Sequence, residues 1–225
     1  MITLGRTFRF LASLFIIVST LRADTRDTSA AVADNAELKR MYEDDQAARK
    51  PAYDGKPIDV LAMSQGDDLR ERRVKEMYFG NELKTGADYY HAAMILQHGL
   101  EPDDFLLSHD FSVIAIAKGE LRAKWLAAAS MDRFLTAIGR PQRFGTQFGR
   151  ARPGFPVRLR PVDPNITDEH RNEFGVRPLA EQLAREATMA KVAEMGRVPI
   201  AGEGPPKQTE ANDNANKAQS PQPTR

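Results

Sequence analysis

The sequence predicts an all-α protein: a single irregular helical bundle of about six helices, with an N-terminal signal peptide and a disordered C-terminal tail. Three observations lead there. Between Tyr89 and Gln147 three apolar segments of helical period follow one another, separated only by Gly99, Pro102 and Gly119. Capping residues and glycine stops frame most of the other periodic segments. No run shows the alternation of a half-buried strand. Connections this short place consecutive helices antiparallel.

The chain divides into residues 1–23, 34–197 and 198–225: a signal peptide, a helical domain and a tail. At the start, Arg6 and Arg9 precede the apolar run LASLFIIVSTL, and Ala23 offers a small residue for cleavage. The run is short for a membrane span. The expected location is therefore outside the inner membrane, periplasmic or secreted, with no span left after cleavage. The alternative is an inner-membrane anchor formed by an uncleaved N-terminal segment. Cleavage removes Arg6, Arg9 and Arg22 and no acid, leaving 29 basic against 31 acidic residues. Such a balance gives no reason to expect nucleic acid as a partner. The chain has 0 cysteines, which excludes thiol catalysis, Cys-ligated zinc and iron–sulfur chemistry and leaves the core to hold the domain without disulfides. From about Ile200 the sequence AGEGPPKQTEANDNANKAQSPQPTR has no apolar period and reads as disordered.

Taken in order, residues 34–49 form a first helix, with Asp34 as N-cap, Glu37 closing a capping box, Leu38, Met41 and Tyr42 on one face, and Pro51 as its stop. Pro51, Gly55 and Pro57 make the next stretch a loop to about Gln65. A second helix runs from about Asp67 to Phe79, and its charge run RERRVKE reads as a solvated face. Thr85 and Asp88 form the capping box of a third helix that ends at Gly99. Pro102, Asp103 and Asp104 open a fourth, which stops at Gly119. A fifth runs from about Glu120 to just before Gly139. Residues 140–166 lose helical period. Thr167 caps a short helix ending at Gly175, and Pro178 opens a last one ending at Gly196.

The candidate functional residues are polar groups in the apolar block. Leu121, Trp125, Ala128, Asp132 and Leu135 follow a 3–4 spacing, so Asp132 lies on an apolar stripe. A carboxylate there must be ion-paired, hydrogen-bonded or lining a cavity. Arg133 comes directly after it. His91 and His98 lie about 10 Å apart along a helix axis at 1.5 Å per residue, too far for one metal ion, so no metal site is expected. His98, just before Gly99, suits an imidazolium at a helix C-terminus. His109, mid-helix beside Asp110, reads as a core histidine with a satisfied hydrogen bond, with an acid/base role as the competing reading. The segment 140–160 carries six Arg and no acid, and Gln142, Thr146 and Gln147 add donors and acceptors that could meet a carboxylate or phosphate.

Five ordered pieces, DDQAAR at 44–49, QHG at 97–99, MDR at 131–133, GRPQRFGTQF at 139–148 and RNEFGVRPL at 171–179, together resemble a bacterial family of helical proteins known as a domain of unknown function. The resemblance covers most of residues 36–180. It implies architecture and candidate positions: Asp45, Gln46, Arg49, Gln97, His98, Asp132, Arg133, Gln142, Gly145, Thr146 and Gln147. Family members usually carry Tyr where this chain has Phe144, which removes a phenol from consideration. The family has no established activity, so the resemblance implies no chemistry.

Three functions remain. The first is a periplasmic binding or interaction protein for a small polar or anionic ligand or a protein partner, with Gln97, His98, Asp132, Arg133, Gln142 and Gln147 as ligand-binding residues. The second is a metal-independent hydrolase with His98 or His109 as base, Asp132 orienting it and Arg133 stabilising an anion. The third is a purely structural network that pins the 140–160 loop to the bundle. No cofactor motif, nucleophile elbow or phosphate loop is present, and no cofactor is expected.

Overall fold

In a computed structural model the chain is described over residues 32–54, 56–150 and 155–194. The expected signal peptide and tail, and the stop at Gly196, lie outside these residues. Seven helices are present among the described residues: α1 (Ala36–Tyr53), α2 (Val60–Phe79), α3 (Gly86–Leu96), α4 (Pro102–Ala117), α5 (Ala123–Ala137), α6 (Asp168–Glu173) and α7 (Leu179–Glu194). The fold is all-α, with one minimal hairpin, and none of these helices is long and apolar enough to cross a membrane.

Helix α3 is the hub. It is buried on every side from Tyr90 to Leu96 and touches α1, α2, α4 and α5. A helix apolar all round belongs inside. Leu38 of α1, Val74 and Met77 of α2, Phe111 and Ala115 of α4 and Leu126 of α5 close over it. Small residues Ala127, Ala128, Ala129 and Ser130 let α5 approach its neighbours closely. Across that approach the Ser108 hydroxyl donates to the Ala93 carbonyl at 2.8 Å and meets the Ser130 hydroxyl at 2.7 Å.

The capping box of α3 forms as expected. The Asp88 N–H donates to Thr85 Oγ1 at 3.1 Å, and the Asp88 carboxylate accepts the Thr85 N–H at 3.0 Å. Asp88 does more than cap: it also accepts the Asn35 N–H at 2.7 Å, tying the start of α1 to the start of α3.

Several boundaries differ from expectation. The α1 cap is Asn35, whose side chain accepts the Leu38 N–H at 3.1 Å, not Asp34. Glu37 is drawn instead to Arg73, at 2.8 and 3.0 Å. Pro51 lies in the final turn of α1 rather than ending it. Helix α2 begins at Val60, not Asp67. Asp59 accepts the Ala62 N–H at 3.0 Å, and the first apolar residues, Val60 and Leu61, are exposed, so no buried stripe marks this turn. The RERRVKE run is not a simple solvated face. Arg70 binds Asp67, Arg73 binds Glu37, and Lys75 binds Glu71 and Asp104, while Arg72 is exposed.

The 140–166 segment holds the hairpin: β1 (Phe148–Gly149) pairs antiparallel with β2 (Arg158–Leu159), and Gln142 bridges Val162 in parallel. Strands of two residues are too short for alternation to register in sequence. Phe144 from this segment packs with Ala128 of α5 and Val176, forming a second small core. Thr167 caps α6 as expected, accepting the His170 N–H at 3.2 Å.

Gly99 marks the tightest approach between the α3 end and α4. A Cβ there would stand 2.6 Å from Asp104 Cβ. Gly99→Ala should therefore destabilise the fold by about 1–3 kcal/mol through overpacking, read as a lower urea midpoint at unchanged slope. An unshifted midpoint would show that the α3–α4 junction is looser than described.

Candidate functional site

Two polar networks occupy the interior, and Asp132 and Arg133 adjoin them in sequence. The first is built on α5. Asp132 has 0% of its surface exposed. Its Oδ1 accepts the N–H of Arg143 at 2.7 Å and of Phe144 at 2.9 Å; its Oδ2 accepts the Thr146 N–H at 3.0 Å and the Thr146 hydroxyl at 2.8 Å. Gly145, at φ 87°, supplies the left-handed turn within this curl. Burial pushes the Asp132 pKa upward, against the pull of these four donors.

Two glutamines extend the anchor. The Gln142 amide donates to the carbonyls of Gln147 and Arg160, both at 2.9 Å, and its oxygen accepts the Gln147 N–H at 2.8 Å. The Gln147 amide donates to Thr146 Oγ1 at 2.9 Å and to the Ala129 carbonyl at 3.3 Å. From the other side Arg171, 2% exposed, donates from Nε to the Phe144 carbonyl at 3.1 Å and from Nη1 to the Ile166 carbonyl at 2.6 Å. Every one of these bonds ends on the loop or its supports.

The second network gathers α1, α2 and the turn after α3. Asp45 is also 0% exposed. Its Oδ1 accepts from Arg49 Nη1 at 2.7 Å, and its Oδ2 from the Gln46 amide at 2.7 Å. Asp67 bridges two guanidiniums, taking Arg49 Nη2 on Oδ2 and Arg70 Nη2 on Oδ1, both at 2.7 Å. Arg70 Nε is buried without a hydrogen-bond partner; Asp45 Oδ1 lies 3.8 Å away, beyond hydrogen-bonding reach. His98 Nε2 stands at the same 3.8 Å from Asp45 Oδ2. The side chains of Arg49, Asp67, Arg70 and His98 keep 10%, 14%, 15% and 18% of their surface exposed, so the cluster reaches water at its edge.

Burial raises the Asp45 pKa to about 6, outweighing the opposing pull of Arg49, Gln46 and Arg70. Burial also drives the His98 pKa well below that of a free imidazole, and the guanidiniums of Arg49, Arg133 and Arg70 push it further down. His98 is thus neutral at neutral pH. This corrects the expected imidazolium at a helix end: α3 stops at Leu96, and His98 lies beyond it among positive charges.

The expected ligand set is therefore divided. Asp132, Gln142 and Gln147 belong to the loop anchor. His98 and Arg133 belong with the Asp45 cluster. Gln97 joins neither; its amide points to Met94 Sδ at 3.3 Å. The carboxylate facing His98 is Asp45 rather than Asp132. His109 is half-buried rather than a core residue; its Nδ1 lies 2.8 Å from the Ala127 carbonyl, to which it donates. His91 stacks on Tyr42 with centroids 4.5 Å apart. Asp67 and Arg70 belong to the cluster although the sequence does not single them out. Their i, i+3 spacing is the available signal, but it resembles one more exposed pair on a charged helix. Comparison with family models, with curated proteins and with solved structures finds no match to this chain.

Three substitutions read out the anchor. Asp132→Ala strands three N–H groups and a hydroxyl in the interior and should cost at least about 3 kcal/mol. Asp132→Asn, which turns an NH2 toward donors, should cost about 2 kcal/mol, and Thr146→Val about 1.5 kcal/mol. Chemical denaturation measures all three. Equal stability of wild type and Asp132→Asn would remove the anchoring role.

Proposed function

We propose that the chain is an exported binding protein for a small anionic ligand, held at the Arg49–Arg70–His98 cluster. The observation that carries this reading is Arg70 Nε: a buried guanidinium donor without a hydrogen-bond partner, beside a neutral histidine at the edge of the protein. Buried donors are ordinarily satisfied, and one left over in a charged cluster suits a ligand acceptor. The neutral His98 supplies a polar group without adding another charge. Export rests on the N-terminal pattern of Arg6 and Arg9, apolar run and Ala23. The positions resembling the bacterial family at Asp45, Gln46, Arg49 and His98 fall in this cluster.

A hydrolase built on His98 and Asp132 draws less support, since both Asp132 oxygens are committed to the loop. The structural reading fits the loop anchor well and leaves the Asp45 cluster unexplained.

Inorganic phosphate and short carboxylates such as acetate are the first probes. At least one should raise the melting temperature in a concentration-dependent way, and Arg70→Gln should abolish the rise. Equal response of wild type and Arg70→Gln would place anion binding elsewhere. Fractionation of cells producing the full chain should recover it outside the cytoplasm; cytoplasmic recovery would remove export.

A further inference from the structure

The hairpin after α5 carries more positive charge than its surroundings answer. We propose that it is a docking face for an anionic phospholipid surface, with Arg140, Arg143, Arg158 and Arg160 at the headgroups and Phe155 beside them at the interface. None of these residues belongs to the Asp45 cluster.

Strand pairing fixes where two of the arginines point. Phe148, Val157 and Leu159 gather on one side of the hairpin as a small core. Side chains alternate along a strand, so Arg158 and Arg160 stand on the other side, and both are exposed. A glycine makes room for one of them. Gly149 pairs with Arg158, and a Cβ on it would lie 2.6 Å from Arg160 Nη2. The missing side chain lets the Arg160 guanidinium lie against β1. Arg140 and Arg143 flank Gln142, which bridges Val162 in parallel just beyond β2, and both are exposed. At the other end of the hairpin Arg150 Nη1 donates to the Phe155 carbonyl at 2.6 Å, and Phe155 is 44% exposed. Residues 151–154, with Arg152, lie outside the described residues.

The acids around this face do not balance it. Between residues 140 and 160 the described chain holds five arginines and no acid. Two acids reach them: Glu186 of α7 meets Arg158 at 2.6 Å, and Asp163 lies within electrostatic reach of Arg143 and Arg140. The other acids nearby in sequence are on α6 and α7. Asp168 pairs with Arg171 and Glu181 with Arg177, while Glu169 and Glu173 are exposed and pair with no hairpin arginine among the described residues. In the helical bundle the guanidiniums of Arg49, Arg70, Arg73 and Arg122 each have a carboxylate oxygen within 2.8 Å. Arg40 and Arg72, also exposed, have acids three or four residues away on their own helices: Glu37, Glu43 and Asp44 for the first, Asp68 and Glu76 for the second.

Charge and ring together select the partner. Basic clusters of this size bind anionic bilayers, each arginine near the surface strengthening partition about fivefold. An arginine keeps its head in the polar layer while its stem and a neighbouring aromatic ring rest against the acyl boundary. A soluble acidic partner would use the guanidiniums alone. Single-stranded nucleic acid stacks successive bases on several rings, and among the described residues of 140–160 Phe155 is the exposed one, with Phe144 and Phe148 buried.

The test is partition of the purified full chain onto vesicles of phosphatidylcholine mixed with phosphatidylglycerol, against vesicles of phosphatidylcholine alone. The N-terminal apolar run is common to all variants, so differences between them report the hairpin. Wild type should bind the mixed vesicles at least about tenfold more tightly, and about 0.5 M salt should remove that preference. Arg140→Gln combined with Arg143→Gln should weaken binding to the mixed vesicles roughly twentyfold, and Arg160→Gln about fivefold. Phe155→Ser should weaken it severalfold and leave the salt dependence intact. Asp163→Asn, which removes the acid near Arg140 and Arg143, should strengthen it. Arg40→Gln combined with Arg72→Gln removes the same charge from α1 and α2 and should change nothing. Equal binding to the two kinds of vesicle overturns the proposal, as does a loss in the Arg40/Arg72 variant as large as that in the Arg140/Arg143 variant. Binding of polyglutamate or DNA without binding of mixed vesicles would assign the face to a different partner and overturn it too. Thermal melting of each variant checks folding. If Arg160→Gln does not fold, the Arg140/Arg143 pair decides, since those side chains make no hydrogen bond among the described residues.

Discussion

One buried carboxylate organises the chain beyond α5. The Asp132 oxygens gather the donors of Arg143, Phe144 and Thr146 and so fix the curl that follows α5. Phe144 is delivered to the Ala128–Val176 core, its carbonyl receives Arg171, and Gln142 and Gln147 bind each other across the same turn. Helix α6 thereby attaches to the bundle through a loop rather than through a broad helix face. The interaction is charge-assisted, which suits a segment with little apolar surface of its own.

The two interior networks use their polar groups differently. Around Asp132 the donors are backbone groups fixed by the loop, and both oxygens are satisfied. Around Asp45 the donors are the side chains of Arg49 and Gln46 on its own helix, with Arg70 of α2 and His98 at 3.8 Å and Arg70 Nε unmatched. The loop anchor has an unmatched donor as well, Arg171 Nη2, but its carboxylate is fully bonded, whereas the Asp45 cluster has its unmatched donor beside the carboxylate. Asp132 and Arg133, consecutive on α5, belong to opposite cases, and α3 runs through the core between α1, α2, α4 and α5.

Much of this architecture is readable from local chemistry. Thr85 with Asp88, Pro102, Thr167 and the glycines after α4 and α5 mark their boundaries because capping is a matter of a few adjacent residues. Asp59 is harder to recognise because the residues it introduces, Val60 and Leu61, stay exposed and give no buried period. Asp132 is recognisable as a carboxylate in need of partners, since its stripe is apolar. That the partners are backbone N–H groups of a glycine-bearing loop is not readable, because every residue but proline carries that donor. Asp45 is visible only through motif resemblance. Its partners Asp67 and Arg70 lie on another helix, and their juxtaposition is a product of tertiary packing.

The Asp132 anchor also bears on how the chain reaches this state. Its most distant donor lies 14 residues on in sequence. The hub helix α3 meets α4, and α4 meets α5, each directly after the other along the chain. Closing such short segments costs little entropy, and proteins rich in sequence-local contacts reach their native state quickly. The segment from α3 to the Thr146 turn can therefore assemble as one early unit, with the carboxylate already in place to capture its loop. Helix α1 meets α3 only across the whole of α2, a longer closure than those joining α3, α4 and α5.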